Sequence, residues 1–194
     1  TSPFAGIGLM VRIALTTGWL RCVLWVLGPT LLYLVTGASI ATLYDTPEKV
    51  ATYGASIGDS MIMLTGRIAG LDTLGGVLAN EFASVASFAI PIMAIALTVG
   101  FTRKEEESGR TELLTAGRVG RLAPTAAGLV VVTGIFVVLG AAIWAVTLGF
   151  EVDRRGAALY AASLFTTGWV YTAATAVLAQ VFAHARTVWF GALT

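Results

Sequence analysis

Four long stretches of the chain contain no charged residue, and short segments that carry the charges separate them. Each stretch has at least 20 residues, the length that an α-helix needs to cross about 30 Å of hydrocarbon at about 1.5 Å per residue. Buried strands are much shorter than this. The pattern therefore predicts an all-α fold, a polytopic transmembrane helix bundle with spans at residues 22–44, 82–101, 122–150 and 156–183.

Apolar residues also continue before the first span and after the last one. Ser2 and Pro3 have the residue types of a helix start, and apolar positions then recur along one face at Phe4, Ile7, Gly8, Val11 and Leu15. We expect residues 1–20 to form an amphipathic helix in the membrane interface, with a disordered tail as the alternative. Residues 184–194 are mostly apolar and can begin a fifth span, so residues 1–194 are predicted to form a single transmembrane domain.

The connection between the first two spans, residues 45–81, is predicted to be an outer loop with a short helix of its own. Thr46 can cap a helix, Pro47 suits its first position and Glu48 suits its first turn. The apolar residues 61–64 are too few to cross a membrane. Gly66 and Gly70 match a helix-dimerisation spacing, but Arg67 lies between them, which makes that interpretation weak.

Composition places the chain among membrane proteins and excludes several other classes. Hydrophobic residues make up 57% of the sequence and charged residues 12%, against about 25% charged in soluble domains. The net charge of +1 argues against a nucleic-acid partner, which needs a clustered basic surface. A lone cysteine, Cys22, cannot form an internal disulfide or supply a typical zinc site. No signal-peptide pattern opens the sequence.

The distribution of lysine and arginine predicts the orientation of the spans. If residues 102–121 are cytoplasmic, eight of the 12 basic residues fall on that side and four on the other. Short loops with an excess of basic residues face the cytoplasm. We therefore expect a multi-pass protein of the cell membrane with both ends of this chain in the cytoplasm.

Residues 102–121, here called the charged segment, hold nine of the chain's 23 charges. A solvated loop between two spans would carry such charges with no further function. The spacing is more specific than that, since Glu106 and Glu107 can pair with Arg110 on a helix, while Leu113 and Leu114 add an apolar edge. These features fit a contact site for a soluble partner on the cytoplasmic side, with a solvated loop as the alternative.

The order of residues in the charged segment is also informative: Arg103, Glu105, Glu106, Glu107, Gly109, Arg110, Glu112, Leu113, Leu114, Ala116, Val119 and Arg121. This pattern resembles the cytoplasmic loop between the second and third spans of type-2 ABC transporter permeases. It is most similar to the actinobacterial exporters of polyketide antibiotics or multiple drugs. The amphipathic start, Tyr44-x-x-Pro47 and residues 71–76 extend the resemblance over most of the chain, which looks like the N-terminal part of such a permease.

The resemblance implies partners and functional residues. The stretch 103–116 would act as a coupling helix docked on a separate ATPase, with Arg103, Glu105, Glu106, Glu107, Gly109, Arg110, Glu112, Leu113 and Leu114 as the contact residues. ATP and Mg²⁺ would bind to that partner, and this chain would hold no cofactor or metal. Family members have six spans per half, so a second permease half, fused or as a dimer, is also expected. In such relatives the path of a lipophilic substrate involves the first, second and fifth spans, which points to Tyr33, Phe88 and Met93.

The residues themselves indicate no catalytic activity. A P-loop needs Gly-x-x-x-x-Gly-Lys-Ser/Thr, and the two lysines, Lys49 and Lys104, follow Glu48 and Arg103 instead. His184 stands without a neighbouring nucleophile or carboxylate. The alternatives to an ABC permease are an ion-coupled secondary transporter or channel half, and a membrane scaffold or small helical membrane enzyme. The spans carry no internal ionisable group of the kind that ion coupling uses.

Overall fold

The computed structural model describes residues 2–57, 70–107, 119–182 and 184–193, and every regular element within these ranges is a helix. The predicted all-α bundle is thus confirmed. The helices are α1 (Ile7–Leu43), α2 (Pro47–Ser56), α3 (Leu74–Phe101), α4 (Arg103–Glu107), α5 (Ala123–Leu148), α6 (Arg154–Val181) and α7 (Ala185–Leu193). By length and composition, four helices within these ranges are able to cross a membrane: α1, α3 continued by α4, α5, and α6.

The first helix corrects one predicted boundary. A break between a helix ending near residue 20 and a second helix starting at residue 22 is wrong, because Ile7–Leu43 is one continuous helix. The interfacial location of residues 1–20 stays a prediction. The hydroxyls of Thr16 and Thr17 donate back to carbonyls of their own helix, and the first proline after residue 3 is Pro29, so no residue interrupts it near position 21. At about 1.5 Å per residue, α1 is about 55 Å long and extends past a single hydrocarbon thickness unless it tilts strongly.

The helices pair as two parallel sets. Met10 packs near Ala123 and Ala127 where α1 and α5 begin, and the Tyr33 hydroxyl lies 2.9 Å from Thr147 Oγ1 where α5 ends. Helices α3 and α6 are parallel to each other and antiparallel to α1 and α5. Both end near Arg103, which contacts Ala179. This arrangement creates two ends, named here after Arg103 and Tyr44. The Arg103 end holds the start of α1, while the Tyr44 end holds α2 and the α5–α6 connection.

The core lies where α1, α3, α5 and α6 meet. Its largest fully buried side chains include Tyr33, Met93, Leu97 and Phe136. Gly168 lets α6 approach α5 closely, because a Cβ there would lie 2.4 Å from the Phe136 ring. Thr172, about one turn further along α6, is buried too, whereas four alanines that also recur every four residues on α5 and α6 are exposed: Ala141, Ala145, Ala158 and Ala162.

The capping signal at the start of α2 was predicted correctly. Helix α2 begins at Pro47, and Lys49 N donates to the side chain of Thr46. Helix α3 begins at Leu74, eight residues before the predicted span, because Thr73 Oγ1 accepts from Gly76 N and starts the helix earlier. The predicted outer loop 45–81 therefore contains α2 and the first turns of α3. Residues 61–64 and Gly66 lie outside the described residues.

Helix α7 covers most of the predicted start of a fifth span. Val188 is fully buried against Ile95, Val99 and Ala179, so α7 packs on both α3 and α6. Nine residues make about 14 Å of helix, which is too short to cross a bilayer. The fifth span stays a prediction.

Candidate functional site

The described parts of the charged segment are residues 102–107 and 119–121, and the first of them contains the short helix α4, which follows α3 after Thr102. The amides of Glu105 and Glu106 donate to the Thr102 carbonyl at 3.1 Å. The Thr102 hydroxyl donates to Thr98 O at 2.6 Å. Helix α4 is thus fixed to the end of the second span by bonds that leave little freedom between them.

Arg103 joins α4 to the end of α6. Its Nε donates to the carbonyl oxygen of Ala179, and its Nη1 donates to Glu106 Oε2 at 2.5 Å. Both side chains of this ion pair are partly buried. A planar guanidinium with several donors is suited to such simultaneous contacts, so Arg103 has a structural role within the chain.

Glu107 joins α4 to the start of α7. Its Oε1 accepts a hydrogen bond from Ala185 N at 2.8 Å. A carboxylate at this position satisfies an amide at the beginning of a helix, where no intrahelical acceptor exists. Three residues that the sequence assigned to a partner contact, Arg103, Glu106 and Glu107, therefore also hold the ends of α3, α6 and α7 together.

Glu105 faces the opposite side of α4, toward the start of α1. It lines a small cavity of about 140 Å³ together with Arg21 and Phe101. The Arg21 guanidinium carbon lies 5.0 Å from the centre of the Phe101 ring, a cation–π distance. Lys104 is exposed. Gly109, Arg110, Glu112, Leu113 and Leu114 lie outside the described residues.

The three residues predicted for a substrate path do not form one surface. Tyr33 and Met93 are buried in the same core cluster, with 2% and 1% of their surfaces exposed. Phe88 is 73% exposed on the outer face of α3. Tyr33 is the member of the set that borders a large cavity.

That cavity opens at the Tyr44 end between α3, α5 and α6 and has a volume of about 520 Å³. Tyr33, Thr147 and Tyr160 line its inner part, while Glu151 and Asp153 lie toward the α5–α6 connection. The Tyr33 and Tyr160 rings stack with their centres 6.1 Å apart. We call this space the Tyr33 cavity.

Sequence reasoning missed most of the lining of the Tyr33 cavity. Gly156, Ala157 and Tyr160 lie on one face of α6, and Asp153, the residue before the helix, continues their helical spacing. That spacing was a usable signal for a polar face at the start of the fourth span. The contribution of Thr147 from α5 has no such local signal, because it depends on how α5 packs beside α1.

A second polar group at the Tyr44 end fastens α2 to α3. The Tyr53 hydroxyl donates to Glu81 Oε1 at 2.5 Å and accepts from Asn80 Nδ2 at 2.6 Å. Burial and the hydrogen bond to the Glu81 carboxylate raise the pKa of Tyr53 to about 12. On the same end, the hydrogen bond from Lys49 lowers the pKa of Asp45.

Four apolar helices of membrane-spanning length pack around a common core. This arrangement defines a multi-pass membrane protein of the helix-bundle class. No family model matches the sequence. The chain is 31% identical over 149 residues to the multidrug efflux system permease protein Rv1217c of Mycobacterium tuberculosis strain H37Rv. The similarity covers 77% of this chain and 25% of that protein.

This similarity confirms the resemblance drawn from the charged segment and identifies the chain as an ABC-type permease sequence. The chain spans about a quarter of the length of the relative that it matches. Transport activity, substrates and partners are properties of a whole permease.

Proposed function

We propose that the chain is the membrane-spanning permease portion of an ATP-driven ABC exporter of lipophilic drugs or antibiotics. The observation that carries the proposal is the similarity to a multidrug efflux system permease over 77% of the chain. The charged segment would dock on a separate ATPase subunit, which would bind ATP and Mg²⁺. A second permease half, fused or as a dimer, would complete the pathway through the cell membrane, with both ends of this chain in the cytoplasm.

The contacts of α4 support a role in transmitting movement. A docked partner that displaces α4 would pull on α3 through Thr102 and on α6 through Arg103. It would also pull on α7 through Glu107. Because these bonds join α4 to three helices at once, a shift of α4 reaches the bundle without passing through a loose loop.

The proposal is tested by removing partner-contact charges and measuring transport and ATP hydrolysis together. Arg110→Ala, and Glu106→Ala, which also removes the ion pair with Arg103, are expected to lower drug efflux about tenfold while basal ATP hydrolysis by the partner persists, because the loss of a charge-assisted contact costs about 1.5 kcal/mol. Glu48→Ala on α2, at the opposite end, is the matched control. The permease must be coexpressed with its ATPase.

Three results decide between the candidate functions. Efflux that requires ATP and falls in both variants, but not in the control, supports the exporter. Unchanged efflux in both variants removes the coupling role. Efflux that persists without any ATPase and follows an ion gradient would instead indicate a secondary transporter.

A further inference from the structure

The Tyr33 cavity has the size and the composition of a ligand site. Its volume of about 520 Å³ lies within the range of about 300–1,000 Å³ that is typical for pockets that hold small molecules. Its inner part is formed by the stacked rings of Tyr33 and Tyr160, and carboxylates of Glu151 and Asp153 lie at its border. Aromatic faces and carboxylates share one preference, since both attract a positive charge.

The Tyr33 hydroxyl presents an acceptor to the cavity. Thr147 Oγ1 lies 2.9 Å from the Tyr33 hydroxyl and 2.6 Å from the carbonyl oxygen of Ile143. A threonine hydroxyl has one hydrogen and a carbonyl has none, so both bonds form together only if Thr147 donates to Ile143 O and Tyr33 donates to Thr147. The Tyr33 oxygen then keeps its lone pairs available to a donor in the cavity.

A cap already occupies one amide at each of the two helix starts beside the cavity, which disfavours an anion there. Gly76 N donates to Thr73 Oγ1 at 3.1 Å where α3 begins, and Gly156 N donates to Asp153 Oδ2 at 2.6 Å where α6 begins. Free amides at helix starts usually bind an anion, and at each of these starts a capping side chain accepts from one of them. Arg154 and Arg155 begin α6 but do not line the cavity.

We propose that the Tyr33 cavity binds a protonated organic amine that carries an aromatic or other apolar group. The ammonium group donates to the Glu151 carboxylate and to the Tyr33 oxygen, while the apolar group stacks beside Tyr160. Binding follows from the cavity alone. Only the further role of this amine as an exported substrate rests on the proposed function.

Two probes of the same shape distinguish the contribution of charge to binding from that of apolar contact. 1-Naphthylmethylamine is protonated at neutral pH, and 1-naphthylmethanol is its uncharged counterpart. Binding of each is measured by calorimetry with the permease that contains this chain in lipid nanodiscs, after subtraction of the signal from empty nanodiscs. The amine is expected to bind about tenfold more tightly than the alcohol, because charge-assisted hydrogen bonds contribute about 1.5 kcal/mol or more.

Variants locate the site. Glu151→Gln is expected to weaken amine binding about three- to fivefold and to leave alcohol binding unchanged, because the carboxylate is exposed and partly screened. Glu48→Gln removes the same charge from α2, outside the cavity, and should leave the affinities for the amine and for the alcohol unchanged. Tyr33→Phe keeps the ring and removes the acceptor, so it lowers amine affinity alone. Tyr160→Leu removes a stacking surface and weakens both probes about threefold.

Equal affinity of the two probes for the unmodified permease would overturn the inference, as would an equal effect of Glu48→Gln and Glu151→Gln. The assay contains no ATPase, so its result is independent of coupling. Absence of the amine preference together with efflux that still fails in Glu106→Ala would reject the amine site and leave the exporter proposal standing.

Discussion

Arg103 donates a hydrogen bond from Nε to the carbonyl oxygen of Ala179, a residue 76 positions further along the chain. The bond joins the first residue of α4 to the last turn of α6, and the Glu106 carboxylate holds the guanidinium in place. A residue that sequence reasoning assigned to an external contact thus also organises the end of the bundle. Loss of partner coupling in an Arg103 variant would therefore have two causes, which stability and transport measurements must separate.

Replacing Arg103 should loosen the Arg103 end without unfolding the bundle. Arg103→Gln removes the guanidinium that donates to the Ala179 carbonyl and the Glu106 carboxylate. Hydrogen bonds to charged groups contribute about 1.5 kcal/mol to stability. Hydrogen exchange measured by mass spectrometry should therefore accelerate about tenfold at residues 103–107 and 179–185. Lys104→Gln, on the exposed neighbour, is the control and should leave exchange unchanged. Equal acceleration in the two variants would mean that Arg103 does not hold these helices.

A glycine on α5 sets the distance between α5 and the end of α3. A Cβ at position 128 would lie 2.5 Å from the Phe101 carbonyl oxygen, whereas a Cβ at Gly134 meets no atom within 4 Å. Gly128→Ala should destabilise the protein by about 1–3 kcal/mol through overpacking. Gly134→Ala should be neutral or stabilising by up to about 1 kcal/mol, since alanine favours helix.

Unfolding in mixed micelles with increasing dodecyl sulfate measures both glycine variants. The two positions lie on the same helix, so both variants gain the same helix propensity. The difference between their free energies of unfolding therefore reports the close contact at position 128. A Gly128→Ala variant as stable as Gly134→Ala would show that α5 and α3 can separate at no cost.

The hydrogen bond between Tyr53 and Glu81 should make the α2–α3 contact sensitive to alkaline pH. The pKa of Tyr53 is raised to about 12 from about 10 in an unfolded chain, so the folded state holds this proton more tightly. The stabilisation is complete below about pH 10 and is lost as the pH rises through about 12. The ultraviolet difference between the unmodified protein and Tyr53→Phe should show a phenolate titration near pH 12.

Glu81→Gln supplies the matching control for that titration. It removes the carboxylate that accepts from Tyr53 but leaves burial, the larger cause of the raised pKa, in place, so the midpoint should fall below pH 12 and stay above pH 10. A midpoint near pH 10 in the unmodified protein, or no change in Glu81→Gln, would contradict the assigned hydrogen bond.

The two lysines test the orientation. Lys49 lies at the Tyr44 end and Lys104 at the Arg103 end, and both are exposed. In intact cells a membrane-impermeant amine reagent should modify Lys49 and spare Lys104, because the excess of basic residues places the Arg103 end in the cytoplasm. Peptide mapping reads out each site, and Lys49→Arg and Lys104→Arg identify the peptides. Permeabilised cells should show both lysines modified.

Modification of Lys104 in intact cells would place the charged segment outside. No cytoplasmic ATPase could then reach it, and the proposed exporter would lose its coupling element. The helix bundle would be unaffected by that result.

Much of the local structure could be predicted because its causes are local. Spans are encoded by runs of apolar residues, and the start of α2 by Thr46 and Pro47, whose side chain and ring act within one helical turn. The early start of α3 at Leu74 was missed although Thr73 caps it, because the apolar run alone was used to place that boundary. The unbroken α1 was missed because an amphipathic start suggested a separate element.

The sequence by itself determined the number of long apolar helices, the location of the charges between them and the resemblance carried by residues 103–121. Only the tertiary structure decided that Arg103 meets Ala179, that Glu107 meets Ala185, and that Tyr33, Thr147 and Tyr160 enclose a cavity. Spacing along one helix fixes which residues share a face. Which faces of different helices then meet depends on how side chains of unequal size interlock across the bundle, and no single segment contains that information.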